Sequence, residues 1–142
     1  MRNALVLCAA LVLQGCATHD YGNFAQQADV ATNTVMVNDS LSQLILFFPP
    51  AKTRLIVQQD TSDRFGQSLL RALRQQGYAV QEQSESSAPL PRNSTPLAYV
   101  LDSPEGSSAY RLTLRVGKQS LTRAYAARPE GIYPAGLWTR KE

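Results

Sequence analysis

The sequence predicts an α/β fold, a two-layer sandwich of helices against a mixed sheet of about five strands. Residues 53–83 pass from a strand-like to a helical and back to a strand-like hydrophobic period, which predicts a β-α-β unit. Residues 97–126 hold three strand-like runs separated by glycine-containing turns, which predict an antiparallel meander. Apolar residues at helical spacing over 39–48 place a short helix ahead of both.

That first helix is expected to start at Asp39 or Ser40, either of which can cap it. Leu41, Leu44, Ile45 and Phe48 then recur at i, i+3, i+4 and i+7, and Pro49-Pro50 ends the helix. Leu44 to Phe48 is also a continuous apolar run, so a strand or an exposed docking patch stays open there beside the buried face.

In the β-α-β unit, Thr53 to Gln59 alternates, with Leu55 and Val57 on one face and Ile56 on the other. Asp60 to Asp63 supply a cap and negative charge at the positive end of the next helix. Phe65, Leu69, Leu70 and Leu73 form that helix's apolar stripe, and Gly77 stands where a C-terminal cap glycine belongs. Tyr78 to Gln83 is the second strand, and a strand-helix-strand order implies parallel pairing. Residues 84–96 are rich in Ser and Pro and read as an exposed loop. Leu97 to Asp102 begins the meander. Tyr110, Leu112, Leu114 and Val116 alternate with Arg111, Thr113 and Arg115, the pattern of a half-buried strand, and Gln119 to Ala126 pairs back after Gly117-Lys118.

The N-terminus is a different kind of segment. Met1-Arg2 is a short positive start, Ala4 to Leu13 is apolar, and Leu13-Gln14-Gly15-Cys16 has the layout of a bacterial lipobox. A spanning helix needs about 20 apolar residues, roughly twice what this run offers. Residues 1–15 are therefore read as a lipoprotein signal peptide, and Cys16 as the residue that carries a diacylglycerol and an N-acyl lipid such as palmitate. Two or three chains anchor stably where one alone is marginal. Ala17 is not the aspartate that favours inner-membrane retention, so the expected address is the outer membrane, facing the periplasm.

Domain organisation follows. Residues 16–38 are polar and read as a lipidated tether whose only aromatics, Tyr21 and Phe24, are candidate partner contacts. Residues 39–127 form the small α/β domain. Residues 128–142 are a Pro/Gly-rich tail in which Tyr133 and Trp138 are candidate contacts, either folded back on the sheet or docked on another subunit.

Composition excludes most chemistry. Cys8 leaves with the signal and Cys16 is acylated, so the mature chain offers no free thiol for a disulfide, a metal or a nucleophile. His19 is the only histidine and lies three residues from the anchor, which removes histidine-dependent catalysis and histidine metal sites. Asp60 and Asp63 read as helix caps, Glu82 and Glu85 as solvated charge, and the glycines as isolated turn residues. No catalytic residue, metal site, cofactor or small-molecule substrate is expected. Arg111, Arg115 and Arg123 near Tyr110 and Tyr125 are the residue types of a single-strand nucleic-acid groove, but the wet face of a one-sided sheet accounts for them better. A mature excess of only two basic residues gives no electrostatic footprint for nucleic acid.

With these segments placed, the chain resembles the TrbH family of conjugal-transfer, mating-pair-formation lipoproteins. The resemblance rests on Tyr21-Gly22-Asn23-Phe24, on Pro49 to Arg54, and on Phe65-Gly66 through Leu69 to Gly77-Tyr78-Ala79. It continues in Tyr99 to Asp102, Tyr110 to Thr113 with Val116-Gly117, Gln119 to Tyr125, and Pro134-Ala135-Gly136 with Trp138. It implies a structural lipoprotein of a plasmid conjugation type IV secretion apparatus, anchoring or stabilising the ring subunits of its outer-membrane core complex. Two other readings of the residues stay open: a periplasmic activator or chaperone-like lipoprotein regulating an envelope enzyme, and an entry-exclusion surface lipoprotein.

Overall fold

Leu55, Ile56 and Val57 are all fully buried in a four-residue strand, and the sheet is built outward from them. The computed structural model describes residues 20–83 and 89–142. Its elements are β1 (Gly22–Asn23), α1 (Val30–Phe47), a 3-10 turn (Pro50–Lys52), β2 (Arg54–Val57), α2 (Arg64–Gln75) and β3 (Ala79–Glu82). They continue with β4 (Thr95–Asp102), β5 (Ala109–Val116), β6 (Gln119–Arg128), β7 (Gly131–Pro134) and β8 (Thr139–Lys141). The eight strands form one mixed sheet in the order β3-β2-β4-β5-β6-β7, with β1 added on β4 and β8 on β6.

The β-α-β unit is as expected, with β2 and β3 parallel. Asp63 caps α2 by accepting from the Gly66 backbone N–H at 3.0 Å. Gly77, at φ +87°, ends it: its N–H reaches the Arg74 carbonyl while that of Tyr78 reaches Leu73, the paired bonds of a Schellman closure. The meander β4-β5-β6 is antiparallel throughout. Both helices lie on one face, over Leu97, Tyr99, Leu101, Leu112, Leu114, Val116, Leu121 and Tyr125.

Three expectations need correction. The first helix spans eighteen residues from Val30 and does not begin at Asp39. Asp29 is its cap, accepting from the Thr32 N–H at 2.7 Å, an interaction that also holds the Asp29 carboxyl below its usual range. Buried Asn33 and Ser40 interrupt the apolar stripe and hide the helix from a hydrophobic pattern: they donate to the Ala28 and Met36 carbonyls respectively, while the Asn33 Oδ1 finds no partner among the described residues. Second, the tether drawn to residue 38 is part of the fold from Gly22 onward. β1 pairs in parallel with Val100 and Leu101, and Ala25 and Ala28 are buried. Third, the sheet has eight strands, because the tail folds back in cis: β7 pairs with Arg128 to Tyr125, and β8 with Thr122 to Ser120. The signal peptide, Cys16, His19 and the loop core 84–88 lie outside the described residues.

Candidate docking surfaces

Two tyrosine hydroxyls and two carboxylates weld the added segments to the domain. Along one edge of β4, β2 pairs with Thr95 to Leu97 and β1 with Val100 and Leu101. In the gap between them the Gln59 side chain accepts from the Tyr99 N–H at 2.7 Å, so the edge of β4 stays satisfied where no strand covers it. Asn23 of β1 then donates to Asp63 at 3.0 Å, and the Tyr99 hydroxyl donates to the other oxygen of the same carboxylate. Burial first, and this carboxylate second, push the Tyr99 phenol far above its ordinary value. Gly66 makes the arrangement feasible, since a Cβ there would stand 2.2 Å from the Tyr99 hydroxyl.

Asp39, expected as a cap, sits mid-helix and does different work. Its carboxylate accepts from Arg123 at 2.8 and 2.9 Å and from the Tyr125 hydroxyl at 2.7 Å. Burial and then that bond raise the Tyr125 phenol as well. Arg123 also donates to the Gly136 carbonyl and lies over the Trp138 ring at 5.9 Å. One guanidinium therefore joins α1, β6 and the tail. Trp138 is half-buried against the core.

The other candidate contact residues are more open. Tyr21 is half-buried under the Arg115 guanidinium, 5.9 Å from its ring centre. Phe24 donates its backbone N–H to Leu101 while its ring remains 58% exposed. Tyr133 is 44% exposed beneath Arg128. Sequence spacing did not bring these four aromatics together, and the fold places them at separate edges.

The apolar run of the first helix resolves into two faces. Leu44 is buried, while Ile45, Leu46 and Phe47 are exposed on the last turn of α1, Leu46 by 67%. Arg140 reaches over Phe47 at 4.9 Å from β8. Leu137, 85% exposed, stands in the loop leading to that strand. The docking-patch alternative thus describes the solvent side of this turn, and the buried-face alternative describes Leu41 and Leu44.

The arginine and tyrosine cluster is split by the pleat. Tyr110, Arg123 and Tyr125 face the helices, whereas Arg111 and Arg115 face the opposite, helix-free side. A shallow polar groove of about 720 Å³ lies between α2 and the preceding loop, lined by Asp60, Ser62, Gln67, Arg71, Arg74 and Glu82. Arg74 and Thr61 both donate to Glu82 across it at 2.9 Å, Arg74 foremost in holding its carboxyl below the usual range. Among the described residues no cluster of metal-ligating side chains occurs, and no helix is long and apolar enough to cross a membrane.

The family model described as conjugal transfer protein TrbH matches residues 18–142. No curated protein and no solved structure matches.

Proposed function

The chain belongs to the TrbH family of conjugal transfer proteins, and from that premise we propose that it is a structural lipoprotein of a plasmid conjugation type IV secretion apparatus. Cys16 carries diacylglycerol and an N-acyl chain and holds the protein in the outer membrane, facing the periplasm. The domain docks on ring subunits of the outer-membrane core complex and stabilises them. Its role is mechanical, with no catalytic step of its own.

The observation that carries the docking part is the exposed turn Ile45-Leu46-Phe47, with Leu137 nearby in sequence to the strand whose Arg140 covers Phe47. Consecutive large apolar residues left in water on a short helix end are the residue types that anchor an interface core. Phe24 and Tyr133 add separate exposed rings. The N-terminal segment bears on the anchor part, because β1 ties Gly22 and Asn23 to the sheet, so a lipid on Cys16 would be attached to a folded body within a few residues.

The test is co-purification of ring subunits with the detergent-extracted protein. Leu46→Asp should leave the melting temperature within a few degrees, since the side chain is already in water, and should cut recovery of ring subunits about tenfold or more. Unchanged recovery would overturn the docking site. Phe24→Asp probes the N-terminal contact without disturbing Asn23, Ala25 and Ala28, whose burial makes a deletion of 21–28 a folding defect. Cys16→Ser should abolish lipid labelling and membrane retention; a mutant that still fractionates with membranes refutes the anchor.

A further inference from the structure

The helix-free face of the sheet has an unusual charge balance. Arg54, Arg111, Arg115, Arg128 and Lys141 all stand on it by strand register, all exposed, against the single carboxylate Asp102. The rest of the mature chain carries eight basic and ten acidic residues, so the positive charge is confined to one side. Between the cations stand the small residues Ala98, Thr113, Ser120, Thr122, Ala124, Ala126 and Thr139, and by the same register Gln81, Val100 and Tyr133. The surface is consequently cationic. Its one described approach to the N-terminus is Tyr21, whose ring lies under Arg115 on this same side. Cys16 is four residues before Asp20, a reach of at most about 14 Å.

We propose that this helix-free face lies on an anionic phospholipid surface, so that the basic side chains meet headgroup phosphates while the helices point away from the membrane. The orientation rests on the lipid-anchor reading, and the charge argument does not. An anchor held within about 14 Å of Asp20, the neighbour of Tyr21, permits the face that carries Arg115 to touch the bilayer, and at a Debye length of about 8 to 10 Å only contact of this kind brings the charges into play. A single-stranded nucleic acid fits less well. Binding one needs successive aromatic platforms for the bases, yet Tyr110 and Tyr125 face the core and Tyr21 is half-buried under Arg115, which leaves Tyr133 as the one exposed ring that strand register puts on this face.

Two measurements test the proposal. In the first, the lipidated protein is reconstituted into vesicles of phosphatidylethanolamine and phosphatidylglycerol. With Cys8 removed and Cys16 acylated, an introduced cysteine is the sole thiol. Ala124→Cys, exposed on the helix-free face, should react with a bulky maleimide about tenfold more slowly in vesicles than in detergent, while Gln75→Cys on α2 should react equally in both. Equal rates at both positions overturn the proposal. In the second, the mature chain with Cys16→Ser is sedimented with the same vesicles and with phosphatidylcholine vesicles. Binding should require the anionic lipid. It should fall about tenfold or more in Arg54→Glu/Arg115→Glu/Lys141→Glu and be unchanged in Arg64→Glu/Arg71→Glu/Arg74→Glu, three exposed sites on α2, which packs on the opposite face. Equal binding to neutral vesicles, indifference to the first triple reversal, or binding of a single-stranded oligonucleotide in place of vesicles overturns it. A wild-type protein found without lipid refutes the anchor reading alone, because the second measurement proceeds without one.

Discussion

At the scale of single residues, the two carboxylates that matter are those with several donors and little water. Asp39 and Arg123 are 21% and 17% exposed and share the Tyr125 hydroxyl, whereas Arg74 and Glu82 pair at 50% and 49% exposure. Solvent screening leaves the second pair worth about 0.5 kcal/mol or less. Removing one partner of the first strands a largely buried guanidinium and a phenol, so Asp39→Ala should cost about 2 to 3 kcal/mol and Asp39→Asn about half as much. Urea unfolding of both, with Glu82→Gln as the insensitive comparison, checks the order. Gly66 is the other sharp case. Its missing Cβ would also fall 3.1 Å from the Thr61 backbone, so the helix start has no room to yield. Gly66→Ala should displace the Tyr99 hydroxyl from Asp63 and cost on the order of 2 kcal/mol despite the better helix propensity of alanine. A neutral or stabilising result in the same titration would refute the close approach.

At the scale of elements, the legible parts are those whose periodicity is uninterrupted. Phe65, Leu69, Leu70 and Leu73 predict α2 within a residue or two, and the alternation of Tyr110 to Val116 predicts β5 and its buried face. The first half of α1 was illegible because β-branched residues and the buried polar side chains of Asn33 and Ser40 mask its stripe. β1 is two residues long and exists only through Val100 and Leu101, some eighty positions away. β7 carries Gly131 and Pro134, which read locally as loop, β8 is only the three polar residues Thr139 to Lys141, and both are strands because β6 offers an open edge. The candidate site was legible in part. The run Leu44 to Phe48 announced an apolar patch, but only the fold shows which of its residues reach solvent. The Asp39, Arg123 and Tyr125 cluster, across 84 to 86 positions, leaves no local signal. The tail's role as an edge cover gives a prediction at this scale. Ending the chain after Arg128 exposes the backbone of β6 from Ser120 to Arg128 and uncovers Arg123 and Tyr125. An unprotected edge of that length invites strand pairing between copies. The truncated protein should elute as oligomers in size-exclusion chromatography where the full-length chain, both carrying Cys16→Ser so that no acyl group can attach there, is monomeric; monomeric elution of both would deny the tail this role.

At the scale of the whole molecule, stability rests on packing, since the described residues include no cysteine, and three tyrosine hydroxyls join its parts. Tyr78 of the α2–β3 junction donates to the Phe48 carbonyl at the end of α1, Tyr99 of β4 to the cap of α2, and Tyr125 of β6 to the middle of α1. Burial pushes the Tyr78 phenol up to about 12 and those of Tyr99 and Tyr125 higher still, with Asp63 and Asp39 adding to the rise. In the unfolded chain all three titrate near 10. A raised folded pKa leaves the stabilisation whole below the unfolded value and removes it above, because the unfolded state then binds fewer protons than the folded one. Unfolding free energy should therefore be insensitive to these groups below pH 9.5 or so. Above pH 10 it should fall by up to about 1.4 kcal/mol per pH unit for each phenol, roughly 4 for the three together, until Tyr78 titrates in the fold near 12. Phenolate absorbance followed during an alkaline titration reads this directly. Tyr78, Tyr99 and Tyr125 should ionise together in one steep step coincident with the loss of helical circular dichroism. Substituting Tyr125→Phe should shrink that step by one phenolate and shallow the slope by about a third. A gradual titration of these three phenols while the helices persist would show that the three hydroxyls do not bind the sheet and helices into a single cooperative unit.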